Sequence, residues 1–350
     1  MVVGGADVHK RTHTFVAVDG VGEKLGAMVV SATCSGHHQA LRWVRERFGV
    51  GVVWAIEDCR DLSARLERDL LTAGPKVVRV SSRLMAQTRA SARTRGRSDP
   101  LDALAVARAF LREPDLPVAS HDEVSRELKL LVDRREHLVG QRTSTINRLL
   151  WRVHELDPEH APKPRSLHLL KHRSLLSQWL VTQRGLIAEL ARDELGDITR
   201  LSEMIDALAK RIGERVRKVA PALLALPGGA ELTAAKLVGE AAGVARFKTE
   251  AAFARHAGVA PIPVWSGNTA GRVRMTRSGN RQINAALHRI AITQARLPAM
   301  GQAYYHKRIA SGDSTTEALR CLKRRLARVV FHHLHTDHQN RIQPRQPAAA

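Results

Sequence analysis

Apolar and polar positions follow two periods along this chain, and the changes of period mark its elements. Residues 2–7 (VVGGAD), 13–19 (HTFVAVD) and 25–32 (LGAMVVSA) read as short strands joined by turn-like Lys10, Gly20 and Gly22, a β-meander. Over 37–48 the spacing turns helical, with Leu41, Val44 and Phe48 on one face. GVVWAIED at 51–58 is then a nearly continuous apolar run, the pattern of a parallel strand buried on both faces. A helix over 62–73 and a strand over 76–80 repeat the alternation. The order β-β-β-α-β-α-β-α predicts an α/β domain, a mixed sheet with helices packed on it.

From 114 to 218 the period is helical. Val124, Leu128, Leu131 and Leu138, then Ile146, Leu149, Val153 and Leu156, recur at steps of three, four or seven, and a helix from 123 to 156 would extend about 50 Å. Pro158, Pro162 and Pro164 interrupt it, and Ile198, Leu201, Ile205, Leu208, Ile212, Val216 and Val219 resume the stripe. This predicts a coiled-coil arm, closed as an antiparallel hairpin or as a seam between two copies; an ordinary helical bundle core is the other reading of the same spacing. LLALPGGAELTAAKL at 223–237 reads as helix, turn, helix. It resembles a helix-hairpin-helix, whose turn amides can face a phosphate. Ala230 stands where that hairpin usually has its second glycine, so a plain helix-turn-helix corner stays open. The expected domains are thus 1–113, 114–218 (the arm), 219–340 (mainly α) and a disordered tail at 341–350.

Charge narrows the function. The 56 Lys and Arg exceed the 34 Asp and Glu by far more than solubility requires, so a polyanionic partner follows. No apolar run approaches the ~20 residues that span a bilayer, and the N-terminus lacks the basic-then-apolar pattern of a signal peptide. That argues against a membrane and for nucleic acid. Fifteen Lys and Arg fall in 260–350 against Asp313, Glu317 and Asp337, so phosphate contact is expected to concentrate there. Cys34, Cys59 and Cys321 stand at unrelated spacings that make neither a disulfide framework nor a zinc knuckle, which fits a reducing cytoplasm.

Within this basic chain four acids occupy notable places. Asp7 closes the first strand, Glu57 closes the apolar central strand, and Asp99 and Asp102 sit in RSDPLDALAVARAF. There Asp99 reads as an N-cap and Pro100 as the first helical residue, so Asp99 and Asp102 project from one helical turn. Taken singly, each acid is explained as a cap or a solvated strand end. Together they form a candidate oxygen-ligand set for a hard divalent cation such as Mg²⁺, and two such ions can assist both the attacking and the leaving oxygen in phosphodiester chemistry.

GADVHK at 5–10, AIEDCR at 55–60 and SDPLDALAVARA at 98–109 resemble the Asp-Glu-Asp-Asp signature of the insertion-sequence one-ten family of transposases. FARHAGVAPIPVWSGNTAG at 253–271 and RMTRSGNRQINAALHRIAI at 274–292 are similar to that family's C-terminal domain. The resemblance implies an RNase H-like (RuvC-like) N-terminal domain, Mg²⁺ held by Asp7, Glu57, Asp99 and Asp102, and DNA strand exchange between donor and target sites. It further implies a serine nucleophile in the C-terminal domain and a guide RNA encoded beside the gene. A homo-oligomer (dimer or tetramer) and a cytoplasmic, nucleoid-associated place in a bacterium are also expected. A Holliday-junction-resolvase-like nuclease using water as nucleophile is the alternative, and a non-catalytic nucleic-acid-binding protein is a third class.

Two serines precede glycine in that domain, Ser266 and Ser278. Ser278 stands just before a helix and reads as its cap, whereas Ser266 has no helix to cap, follows Pro261, Pro263 and Trp265, and precedes Gly267. Ser266 is therefore the expected nucleophile. Candidate nucleic-acid contacts are Arg272, Arg274, Arg277 and Arg281, and the cluster Lys323, Arg324, Arg325 and Arg328, which also reads as a solvated helix face. Aromatic residues make up only 4% of the chain, so backbone contacts should outweigh base stacking. His332, His333, His335 and His338 read as a frayed polar tail rather than a zinc site; His9 and His13 flank Asp7 and read as surface residues of the first hairpin, with proton shuttling or DNA contact as the other reading.

Overall fold

The computed structural model describes residues 1–58, 62–91, 96–113, 116, 118–120, 122–275, 279–298 and 300–343. The chain divides into two compact units, Met1–Asp122 and Glu123–Ala350. Residues 123–218 of the expected arm and the expected C-terminal domain both fall in the second unit, while residues 114–122 fall in the first.

In the first unit, strands β1 (Val3–Val8), β2 (Thr12–Val18) and β3 (Lys24–Ser31) form the expected meander. Helix α1 (Cys34–Phe48), β4 (Val53–Glu57), α2 (Ala64–Thr72), β5 (Val77–Val80), α3 (Ser82–Ala90) and α4 (Asp99–Arg112) follow. The sheet order is β3-β2-β1-β4-β5. β1 runs antiparallel to β2 and parallel to β4, and β4 runs parallel to β5. This is the RNase H-like arrangement expected for the α/β domain.

Side chains alternate across a strand with a period of two, so each strand feeds two cores. Ala6, Val8, Phe15, Trp54 and Ile56 pack with Ala40 and Val44 of α1 and Leu66 and Leu70 of α2. Val3, Val16, Ala55, Val78 and Val80 pack with Ala103, Val106, Ala107 and Phe110 of α4. Burial on both faces explains why β4 reads as a continuous apolar run rather than an alternating one. Gly5 sets how closely α4 approaches: a Cβ there would lie 2.1 Å from the Ala103 carbonyl oxygen and 2.8 Å from the Ala107 Cβ.

The second unit is mostly helical: α5 (Glu123–Leu156), α6 (Leu170–Thr182), α7 (Leu186–Val219), α8 (Pro221–Leu224), α9 (Glu231–Ala241) and α10 (Glu250–His256). A small hairpin of β6 (Pro261–Pro263) and β7 (Val273–Met275) precedes α11 (Arg281–Arg296), α12 (Met300–Ala310) and α13 (Thr315–Ile342). Helices α5 and α7 run antiparallel, since Glu127 near the start of α5 pairs with Arg215 near the end of α7 while Arg152 pairs with Glu194. The arm is therefore a hairpin within one chain. Leu149 and Val153, read as candidates for a seam between copies, are fully buried against Leu176 and Leu180 of α6 and Ala191, Leu195 and Ile198 of α7. At the other end Leu128 and Val132 join Ile212, Val216 and residues of α9, α11 and α13 in a larger core.

The Pro-Gly-Gly turn packs on α11 and uses one of its amides within the fold. Gly228 takes a positive φ of 86° and packs against Ile290 and Thr293 of α11, and the Gly229 N–H donates to the Leu226 carbonyl at 2.7 Å. The frayed-tail reading of 332–338 is also overturned, because these residues lie on the 28-residue helix α13. Asp337 explains why the helix persists: fully buried, it accepts from the N–H groups of Ala222 at 2.8 Å and Leu223 at 3.2 Å, capping α8. Of the expected tail, Arg341 and Ile342 close α13, and residues 344–350 lie outside the described residues.

Candidate metal centre

The period-two alternation that places Val3 and Gly5 under α4 places Asp7 there too, and likewise Glu57 after Ala55. The parallel register pairs Ala6 with Ile56, so Asp7 and Glu57 follow side by side at the C-terminal ends of β1 and β4. Helix α4 crosses this face with its N-terminus toward them. Ser98, in extended conformation, is its N-cap, and Pro100 lies in the first turn. This corrects the expected cap by one position: Asp99 is the first helical residue, and its carboxylate is free to face the strand ends instead of closing the helix. Asp102 lies in the same turn.

His9 joins this group. Its Nε2 lies 3.1 Å from Asp7 Oδ2 and 3.4 Å from Asp99 Oδ1. Asp7, His9 and Asp99 offer ligand atoms that all lie within 4.8 Å of one another. Asp102 and Glu57 stand outside that tight group, and Asp102 accepts from Arg89 of α3 at 2.5 Å. The other three acids nonetheless all act on Asp7. Burial raises the pKa of Asp7, and the charges of Asp102, Asp99 and Glu57 raise it further, while His9 opposes them. Burial works against protonation of His9, but Asp7 and Asp99 outweigh it and its pKa is raised. A buried carboxylate ringed by others, with a protonatable histidine as its nearest cation, is a donor set suited to a hard divalent cation.

The roles of His9 and Arg89 were not legible as such in the sequence. For His9 a signal existed, since Asp-x-His at a strand end puts both side chains on one side. His13, expected at the surface, is 2% exposed. Its ring stacks on His37 at 5.2 Å, and burial, reinforced by His37, holds its pKa down to about 4.

In the second unit the β6–β7 hairpin carries Ser266 on its exposed connection, with Arg272 and Arg274 exposed on the returning arm. Ser266 does cap something: it opens a single 3-10 turn, Gly267–Thr269, and the Thr269 hydroxyl accepts from its N–H and donates to its carbonyl, both at 3.0 Å. The cap of α11 is Asn280, whose Oδ1 accepts from Gln282 and Ile283 N–H groups at 2.9 and 3.0 Å, so capping does not account for Ser278. Ser278 and Arg277 lie outside the described residues. Arg281 is exposed at the start of α11. The second basic cluster is partly engaged within the fold: Lys323 donates to Asn284, Arg325 lies over the Tyr304 ring, and Arg328 pairs with Glu250, while Arg324 is half-buried.

Two family models match this chain. The DEDD transposase model of IS110 elements covers residues 4–156, and the transposase IS116/IS110/IS902 family model covers 220–306. A 42 kDa protein of insertion element IS900 from Mycobacterium paratuberculosis is 25% identical over 81% of this chain and 82% of its own length. A 44.8 kDa protein of IS116 from Streptomyces clavuligerus is 25% identical over 93% of each chain. Among solved structures, T. thermophilus RuvC in complex with a Holliday junction substrate matches 32% of this chain and 95% of its own, at 19% identity and a TM-score of 0.26. No helix among the described residues is long and apolar enough to cross a membrane. With the acidic site lying in one matched segment and the β6–β7 hairpin in the other, the chain belongs to the IS110/IS116/IS902 family of transposases, enzymes that act on DNA.

Proposed function

We propose that this chain cleaves and rejoins the DNA of an insertion sequence through a Mg²⁺-dependent acidic site and a serine nucleophile, Ser266, with an element-encoded RNA as guide. The observation that carries the reading is the convergence of Asp7, Glu57, Asp99 and Asp102 on one sheet face, with Asp7 buried and its neighbours crowding it with negative charge. Asp7, Glu57, Asp99 and Asp102 would hold the ion, and His9 and Arg89 neutralise part of their charge until it binds. When bound, Mg²⁺ supplies a Lewis acid that offsets charge on the scissile phosphate.

Ser266 supports the second half of the reading by its exposure on a Pro-stiffened hairpin beside Arg272 and Arg274. Its Oγ attacks phosphorus, the bond from phosphorus to a deoxyribose oxygen breaks, and the serine proton passes to that leaving oxygen. Arg272 and Arg274 neutralise the phosphate as it approaches. Guidance by RNA rests on the family resemblance; the cationic, aromatic-poor composition suits backbone contact with either nucleic acid. Assembly as a dimer or tetramer, no longer assigned to Leu149 and Val153, falls to the apolar residues left exposed on the hairpin, Trp151, Leu170, Val181 and Leu186.

The test is capture of the covalent protein-DNA adduct on element-end DNA, followed by peptide mapping. Ser266→Ala should eliminate the adduct and strand exchange, and the wild-type adduct should map to Ser266. An adduct that persists in Ser266→Ala and maps to Ser278 would overturn the assignment. Metal-dependent cleavage with no adduct in any variant would favour water as the nucleophile.

A further inference from the structure

The α5–α7 hairpin carries a basic cluster of its own. Arg142 of α5 and Arg173 of α6 both donate to the Ser202 hydroxyl of α7, at 3.1 and 3.4 Å. Ser202 donates its own proton to the Ile198 carbonyl at 2.7 Å, so its oxygen serves the two guanidinium groups as a shared acceptor. Arg135 stands seven residues before Arg142, two turns back on the same face of α5.

The charges in this cluster repel. Burial lowers the pKa of Arg142, and Arg135 and Arg173 lower it further; burial likewise lowers that of Arg135, with Arg289 of α11 adding to it. Asp206 of α7 opposes both shifts. Glu136, the other acid acting on Arg135, is paired with Lys236. Among the described residues, Nε of Arg135 and Nε of Arg173 are buried without a hydrogen-bond partner. The cluster also grades inward: Arg289 is exposed, Arg135 and Arg142 are half-buried, and Arg173 is 8% exposed. Like charges gathered in partial burial against little negative charge favour an anion that balances them.

We propose that Arg135, Arg142 and Arg289 seat a phosphate of a nucleic-acid backbone on the arm, with Arg173 and Ser202 fixing Arg142 behind it. The planar guanidinium fork suits a phosphodiester oxygen pair, and a phosphate entering from the Arg289 side meets the half-buried pair next. This rests on the reading of the chain as a DNA-handling enzyme and extends its nucleic-acid contacts beyond the C-terminal quarter, where charge counting alone would place them. The phosphate belongs either to element DNA or to the guide RNA, and the chemistry of recognition is the same for both.

Fluorescence anisotropy over a salt series, with element-end duplex DNA and separately with the transcript of the neighbouring non-coding segment, tests the seat. Removing one phosphate contact should reduce the slope of log K against log salt by about 0.9 on duplex DNA or about 0.7 on a single strand. Arg135→Gln, Arg142→Gln and Arg289→Gln should each show this loss on the nucleic acid that occupies the seat and wild-type behaviour on the other. Arg142 is tied into the hairpin, so the exposed Arg289 provides the variant that keeps the fold. Asp206→Asn, which removes the opposing acid, should tighten binding several-fold. Wild-type slopes on both nucleic acids in Arg289→Gln, together with unchanged affinity in Asp206→Asn, would overturn the seat. A wild-type protein that bound neither nucleic acid would instead overturn the proposed function.

Discussion

Two buried ionisable side chains outside the acidic cluster report on the fold. His13 holds a folded-state pKa of about 4, below the ordinary 6.5. As pH falls from 6.5 the unfolded chain takes up a proton at this residue before the folded chain does, so stability is lost progressively down to about pH 4, at up to about 1.4 kcal/mol per pH unit. Chemical denaturation of His13→Phe should show a flatter decline over that window than the wild type. An identical decline would place the acid sensitivity elsewhere. Asp337 looks in sequence like a stray acid in a basic tail, yet its carboxylate caps α8 across 114 residues of chain at Leu223. Asp337→Ala should cost about 1–3 kcal/mol, because it leaves a buried and a part-buried N–H group unpaired; a denaturation midpoint equal to the wild type would contradict the capping role. Nothing local in the sequence marks either residue. The partners of both are distant in the chain, and only the folded topology brings them together.

At the level of elements, the legible parts were those written in periodicity. The meander, the buried β4 run and the 34-residue α5 follow from spacing alone. Whether the α5 stripe faced its own chain or another copy could not be read from spacing, because both leave the same apolar positions covered. Helix α6 fills that stripe within the chain, and its residues follow the proline break that ends the periodic reading. Leu149→Glu with Val153→Glu should therefore destroy helical order in the hairpin, seen as lost far-ultraviolet ellipticity, rather than yield a folded protein of smaller mass in light scattering. A well-folded variant with reduced mass would restore the seam between copies. Gly5 is the second element-level control. Gly5→Val would force α4 off β1, at a cost of about 1–3 kcal/mol or more, and would carry Asp99 and Asp102 away from Asp7. Wild-type stability with wild-type cleavage would show that the α4 approach is not what builds the site.

At the level of the whole molecule, the acids and the serine belong to different units, and charge is distributed more widely than a count along the chain suggests. Where the four acids stand was readable because they fall at strand ends and a helix start, positions that periodicity locates. The serine was less readable, since the argument from helix capping used the wrong residue: Asn280 caps α11. In the function proposed, the acids of the first unit form the metal-dependent cleaving centre. The most direct measurement is strand cleavage of element-end DNA, supplied with the neighbouring transcript, across a Mg²⁺ titration in wild type, Asp7→Asn and Glu57→Gln, with DNA affinity measured on the same preparations. Wild-type protein should cleave only with the divalent ion, and both variants should bind DNA as wild type does yet give no product, because each removes a metal-ligand charge and little cationic surface. Cleavage at the wild-type rate in Asp7→Asn or Glu57→Gln would contradict the metal centre.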